Sequence, residues 1–441
     1  MLKTNKPALY VIFIALLLIL SGLVFRQYFK NRPVVIKIAL YSGNSWGVPQ
    51  NFAYAIYDKA AEIFNRQPGN ENIRIKYTTG TLYKYYSEWF AQLVLKGKEP
   101  DLFLLVEEDF NTYASIGLLE NLGPHIERST TFDQNDIYPE ALRAGMFRGR
   151  QYSLPISVVP SFMIYNKTLL DSEGISIDQD SWNWRQFYSI CDALTRDTDG
   201  DGELDQFGVY GYDWHHAFYT NDDNLFNENG TKIGYNPIRM QETIDFLSRI
   251  YQLKQGKNLT ERDFEHGAVG FKPFNLSEYR AYGTYPYRIL KYEDFEWEAI
   301  AYPKGPHGRS ASKLYTVQIG MSSRSRNKEA AFKFMEFIAG NEEIQHEVWM
   351  GTNTLPANRQ VVQSVYKRTG LHSEGMKLLN PDFLSRIIRN SYTDPDFKLY
   401  SYLDDIISQN IFQIVAQGIP SKTGEAALRA DINQTIEAMR R

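Results

Sequence analysis

Between residues 34 and 106 the chain switches repeatedly between two hydrophobic periods, and this alternation restricts the available folds more than any other feature. VVIKIALYSG (34–43) has the apolar character of a strand, whereas NFAYAIYDKAAEIFNRQ (51–67) spaces its apolar residues as a helix does. IRIKYTTG (73–80) is a second strand, KYYSEWFAQLVLKG (84–97) a second helix and PDLFLLV (100–106) a third strand. Strand-helix-strand-helix-strand predicts an α/β fold with a parallel sheet wrapped by helices. Ligands on such sheets collect at the carboxyl ends of strands, which places Ser42 to Gly47, Thr78 to Tyr83 and Glu107 to Phe110 beside a cleft.

Further along, QYSLPISVVPSFMIYNKTLL (151–170) is an extended segment with two prolines, a candidate crossing between lobes. SWNWRQFYSICDALT (181–195) is helical, GVYGYDWHHAFY (208–219) is aromatic and extended, and IRMQETIDFLSRIYQL (238–253) is helical again. NKEAAFKFMEFIAGNEEIQ (327–345) and GEAALRADINQTIEAMR (424–440) are amphipathic helices of the kind that cover lobes. The sequence contains no repeat or low-complexity tract.

DTDGDGELD (197–205) sets Asp197, Asp199 and Asp201 at alternate positions with Gly202 behind them. Alternating carboxylates with a glycine turn wrap oxygens around a hard cation, and the EF-hand spacing adds the Glu203 carbonyl and Asp205. The closing bidentate Glu is absent, because Gly208 stands in its place. The expectation is a structural Ca2+ site whose shell another carboxylate or water completes; the alternative is an acidic solvated turn.

The 441 residues leave room for two or three domains, and 43% hydrophobic with 23% charged residues is a globular mixture. A net charge of −4 without a Lys/Arg run provides no field for nucleic acid, so none is expected as a partner. Aromatic residues reach 14%, with 30 Tyr, 26 Phe and 7 Trp; amphipathic rings suit flat, partly wet surfaces such as those of carbohydrates. The single cysteine, Cys191, rules out a disulfide framework within the chain. At the N-terminus, Lys3 and Lys6 precede an uncharged apolar run from Ala8 to Phe25, long enough as a helix for a hydrocarbon core of about 30 Å. No small-x-small cleavage site follows, so the expectation is an N-terminal transmembrane helix, an uncleaved anchor for a domain outside the cell, with a cleaved signal peptide as the alternative.

Several segments in fixed order resemble the extracellular solute-binding protein family 1 of sugar-importing ABC transporters, the family of maltose-binding protein. They are residues 151–170, 181–208, FEWEAIAYPKGPHGR (295–309), SRNKEAAFKFMEFIAG (325–340), TNTLPANRQ (352–360) and the final GEAALRADINQTIEAM. The resemblance implies the two-lobed type II periplasmic-binding-protein fold, with lobe 1 formed by residues 34–158 and 317–365 and lobe 2 by 159–316 and 366–441. It also implies a monomer that closes on an oligosaccharide, delivers it to an ABC permease and catalyses nothing. This chain departs from the family in lacking the cysteine that commonly carries a lipid. It also reads Val158, Val159 and Pro160 where the maltose binder has a sugar-binding carboxylate, so maltose specificity does not carry over.

A sugar presents apolar C–H faces and a rim of hydroxyls, so aromatic plates and planar polar groups are the candidates. Asn44, Ser45 and Trp46 follow the first strand, and Glu107 and Glu108 follow the third. Asp213 and Trp214 lie where the family sets an aromatic platform; the adjacent His215 and His216, in an extended segment, would point to opposite faces. Phe274 and Tyr285 lie in the segment that resembles the family's second aromatic donor, and Tyr402 is a weaker candidate. Two other classes stay open at this point. GNSWG (43–47) fits the G-x-S-x-G nucleophile elbow, although no Asp and His partners are evident, and paired carboxylates could serve a glycoside hydrolase. A ligand sensor for a membrane kinase would use the same fold.

Overall fold

The computed structural model describes residues 33–43, 54–178, 181–222, 224–227, 230–282, 291–292, 294–369, 381–395 and 397–440. Residues 8–25, and with them the expected anchor, lie outside this set, as do Asn44, Ser45, Trp46 and Tyr285. Among the described residues no helix is long and apolar enough to cross a membrane.

The principal elements in chain order begin with β1 (Val34–Ser42), α1 (Ala55–Arg66), β2 (Ile73–Leu82), α2 (Tyr83–Leu95), β3 (Leu102–Leu105), α3 (Glu107–Ser115) and β4 (Ser153–Asn166). Next come α4 (Trp184–Leu194), β5 (Phe207–Val209), α5 (Trp214–Asn221), α6 (Pro237–Leu253), β6 (Val269–Asn275), β7 (Trp297–Ile300) and β8 (Ser312–Met321). The chain closes with α7 (Lys328–Gly340), α8 (Glu342–Gly351), β9 (Leu355–Pro356), β10 (Ser391–Tyr392), α9 (Tyr400–Ala416) and α10 (Ser421–Arg440).

β1 pairs in parallel with both β2 and β3, as the alternating periods predict. Successive β1 side chains face opposite ways: Ile36, Ile38 and Leu40 enter a core with Phe64 of α1 and Phe334 of α7, and Ala39 joins Tyr86, Phe90 and Phe103 on the other face. The hydrogen-bonded strand order is β2-β1-β3-β8-β4-β6-β5. Two strands make the passage from one half of this array to the other. β4 pairs antiparallel with β8 from Ser153 to Pro160, then changes partners and pairs with β6 and β7 from Ser161 to Asn166. β8 in turn pairs with β3 at its far end and with β10 at its start. Pro160, without an N–H, stands at the change of partner, and the Ser161 hydroxyl there accepts the Lys313 N–H at 2.9 Å.

In the second half, Met163 faces a core with Phe187, Ile244, Phe271 and Ile407, while Phe162 and Ile164 face another with Phe274 and Phe383. Asn183 caps α4, accepting the Arg185 and Gln186 N–H groups, and Trp184, Phe187, Cys191 and Leu194 form its buried stripe. Trp184 stacks on Phe246 of α6 with ring centroids 4.2 Å apart.

Two expectations change. Residues 208–219 are not one extended segment: β5 ends at Val209 and α5 starts at Trp214. Asp213 accepts the His215 and His216 N–H groups at 3.0 and 3.3 Å, while His216 Nδ1 accepts the Asp213 N–H at 3.1 Å. That reciprocal cap turns the segment into a helix, and the two histidines are therefore not opposed across a strand. Gly208, where the calcium-type pattern would have its closing Glu, presses on α4; a Cβ there would lie 2.4 Å from Cys191 Cα. Close backbone approach explains the missing carboxylate. Gly208→Ala should lower the unfolding free energy by about 2 kcal/mol, read as a lower urea midpoint; an unchanged midpoint would contradict this packing.

Candidate ligand cleft between the lobes

The carboxyl ends of β1, β2 and β3 converge beside the crossing strands. Tyr41, at the end of β1, packs edge-on against Tyr83 and Tyr86 with centroids 5.0 and 5.1 Å away. The Tyr83 hydroxyl lies 3.4 Å from Glu108 Oε2. Burial, with Glu108 and Glu107 adding, pushes the Tyr41 phenol up, so it remains a neutral hydrogen-bonding group.

Lys313 holds the floor of this region. Its ammonium lies 2.9 Å from Asp394 Oδ2, 3.5 Å from Glu107 Oε1 and 5.1 Å from the centre of the Tyr315 ring. Burial alone would lower the Lys313 ammonium, but Glu107 and Asp394 hold it well above its usual range. Glu107, Asn111, Thr393 and Asp394 border a small cavity of about 40 Å3, and the Asn111 side-chain amide donates to Pro395 O at 2.9 Å. First-lobe α3 thereby touches the segment that leads into second-lobe α9.

Beside Asp394, α5, β10 and α9 pack together, with Tyr219 3% exposed in their shared core. Tyr219 and Tyr392 stack with centroids 3.7 Å apart, and the Tyr400 hydroxyl donates to Asp404 Oδ1 at 2.9 Å. His215 Nε2 lies 3.1 Å from both Asp404 oxygens. Burial would lower the His215 imidazole, but hydrogen bonds to Asp213 and Asp404 outweigh it and raise it to about 9, so it is charged at neutral pH. Burial would likewise raise the Asp213 carboxyl, yet His216 and His215 hold it well below the usual carboxylate range.

The candidates named from sequence therefore separate. Glu107 and Glu108 stand at the mouth of the first-lobe sheet. Asp213 caps α5, and Trp214 is buried at 4% exposure with its indole N–H donating to Ser408 Oγ at 2.8 Å. Phe274 is not on a cleft wall: it is 3% exposed in the second-lobe core, edge-on to Phe162, Tyr292 and Trp297. Tyr402 is 56% exposed on α9, one turn from Ile406. Reading the sequence missed Tyr219, Lys313, Tyr392, Asp394 and Asp404. Lys313 and Asp394 come together because β8 pairs with β10, and Asp404 meets His215 because α9 packs beside α5.

The acidic loop is a separate site. Asp197 accepts the Gly200 and Gly202 N–H groups at 2.6 and 2.7 Å, and Asp205 accepts the Thr198 N–H and hydroxyl at 3.0 and 2.8 Å. Oxygens of Asp197, Asp199 and Asp205 lie within 4.8 Å of one another. Asp201 turns to the Glu203 N–H, and the Glu203 carboxylate pairs with Lys257. Three convergent carboxylates, with no ion pair among the described residues bridging them, have the oxygen donors that a hard cation takes.

Two helix-covered sheets joined by shared strands, with the charged cluster of Lys313, Glu107 and Asp394 at the join, have the architecture of a solute-binding-protein fold. Residues 47–345 match the model of the bacterial extracellular solute-binding protein family, and the chain belongs to that family. It is a binding protein rather than an enzyme. Its fold is similar to that of the cyclic α-maltosyl-1,6-maltose binding protein from Arthrobacter globiformis, with a TM-score of 0.73, 16% identity, and 92% and 100% of the two chains covered. The sugar-binding protein MalE from Xanthomonas citri is similar with a TM-score of 0.72, 15% identity, and 92% and 98% covered. Among curated relatives, a putative binding protein of Brucella abortus is 23% identical over 55% of this chain and 59% of its own length. The erythritol/L-threitol-binding protein of Mycolicibacterium smegmatis is 22% identical over 66% of each. The chain thus spans about three fifths of the length of the first of these relatives.

Glu107 is pushed up to about 8: burial raises it most, Lys313 lowers it, and Asp394 and Glu108 raise it further. A carboxyl raised on folding contributes stability that is full below its ordinary 4.5 and is lost as pH climbs to about 8. Glu107→Gln stays neutral, so its melting temperature should rise relative to the native chain between about pH 5 and pH 8.5. A difference that does not change with pH would contradict a protonated Glu107 beside Asp394.

Proposed function

We propose that this chain captures a carbohydrate, an oligosaccharide or related polyol, between its lobes and delivers it unchanged to an ABC-type permease. The observation that carries the reading is the polar cluster where the two halves meet: Lys313 lies between Glu107 and Asp394, with the Tyr41 and Tyr83 rings and Glu108 at the ends of the neighbouring strands. Rings cover the C–H faces of a sugar, and ionised carboxylates accept from its hydroxyls. The sugars and polyol named for the similar proteins support the same class of guest. In this reading residues 34–158 and 317–365 form lobe 1 of a type II binding protein, and residues 159–316 and 366–441 form lobe 2. Contacts to both lobes favour the closed state by differential affinity, and the permease reads that shape.

The protein works as a monomer outside the cell, held to the membrane through the apolar run Ala8–Phe25. Asp197, Asp199 and Asp205 hold Ca2+ and fix the loop that leads into β5, with Asp201 and the Glu203 carbonyl as further oxygen donors.

A thermal-shift screen of the full chain against oligosaccharides and polyols, with and without Ca2+, tests these assignments. A true guest at about a hundred times its Kd stabilises by about 2.7 kcal/mol, so the melting temperature climbs with its concentration. Calcium should raise the melting temperature of the native chain and not that of Asp199→Asn. Shifts with peptides or polyamines but with no sugar, or a sugar recovered in hydrolysed form, would refute the carbohydrate reading.

A further inference from the structure

Away from the cleft, the second lobe contains a cavity of about 410 Å3 between the end of β5, the last turns of α6 and the middle of α9. Phe207, Leu247, Ile250, Leu259 and Ile411 form its walls, and the Phe412 ring, 60% exposed, stands at its mouth. Small-molecule pockets have volumes of about 300–1,000 Å3 and a mainly apolar lining with a few placed polar groups. This cavity has that character, and most of its polar groups are already satisfied. Ser408 accepts from the Trp214 indole, and His215 is paired with Asp404.

Lys254 is different. It ends α6 with its ammonium 4.4 Å from the centre of the Tyr251 ring, and no ion pair among the described residues includes it. Burial lowers its ammonium below the usual range, and no carboxylate acts in the opposite direction. A cation half-withdrawn from water beside an apolar cavity, with no counter-charge, is stabilised by an anion delivered with apolar surface. A neutral alcohol offers no such gain, and an amine meets like charge.

We propose that this cavity is a second ligand site, which takes a small amphiphilic monocarboxylate with its aryl or alkyl body among the apolar side chains and its carboxylate on Lys254. The site differs in chemistry from the cleft, where Lys313 is already paired with Asp394 and Glu107. Asp213, Trp214 and His215 border the cavity from the start of α5.

The test uses the full chain with 3-phenylpropanoate, 3-phenylpropan-1-ol and 3-phenylpropylamine as probes, read by melting temperature and tryptophan fluorescence. Phenylpropanoate should bind saturably, at least tenfold more tightly than the alcohol, and the amine should bind most weakly. Lys254→Gln should lose about tenfold for the carboxylate, keep its affinity for the alcohol and leave sugar-induced shifts unchanged. Ile250→Trp, which fills the cavity, should abolish binding of both; if that variant does not fold, Phe412→Ala at the exposed mouth should weaken both. No saturable carboxylate signal, equal affinity for carboxylate and alcohol, or carboxylate affinity unaltered in Lys254→Gln would each overturn the proposal. Because the sugar response is measured on the same samples, failure here is distinguishable from failure of the carbohydrate reading.

Discussion

One strand hydrogen-bonds into both halves of the molecule, and the rest of the structure is arranged around that fact. β4 pairs with β8 over its first eight residues and with β6 and β7 over its last six, and it is buried along nearly its whole length. Backbone ladders resist shear, so relative movement of the halves must concentrate where the ladder is interrupted. Two interruptions are visible: the register shift opposite Val317 and Gln318, and the change of partner between Pro160 and Ser161. Proline at the second removes a donor where the ladder would otherwise continue, and beside it the Lys313 N–H is accepted by the Ser161 hydroxyl.

That last contact links hinge and site. Lys313 is fixed by its backbone at the change of partner, while its side chain joins first-lobe Glu107 to Asp394, which precedes α9 of the second lobe. Two carboxylates and one ammonium in so little water cannot all be charged without cost, and Glu107 carries that conflict as a raised affinity for its proton. The neighbouring rings complete a lining that can exchange hydrogen bonds with hydroxyls while covering apolar faces. A guest that parted Lys313 from those carboxylates without replacing the contact would leave buried charge unpaired, which gives such a site a physical basis for selectivity.

Much of this was legible in the sequence. The switching periods of residues 34–106 specify the parallel three-strand unit, and the two prolines in residues 151–170 mark the crossing strand. Strand-end reasoning put Tyr83, Glu107 and Glu108 just after two parallel strands, and in the structure they follow β2 and β3. Side-chain direction was not legible. Phe274 sits on an alternating strand, and only the pairing with β4 decides that its ring turns into the core with Phe162. Trp214 has a similar history: the Asp213 cap rotates it under α9, against Ser408, and gives the following position to His215. Lys313 and Asp394 are 81 residues apart, and no local pattern announces a pair formed by two strands meeting across the hinge.

The proposed function requires the two lobes to close on a sugar through the interrupted ladders of β4 and β8. Small-angle X-ray scattering of the protein with and without a sugar that raises its melting temperature measures this directly. Closure predicts a smaller radius of gyration in the saturated complex, reversed when the sugar is dialysed away intact. A saturating sugar that leaves the scattering profile unchanged would contradict the account.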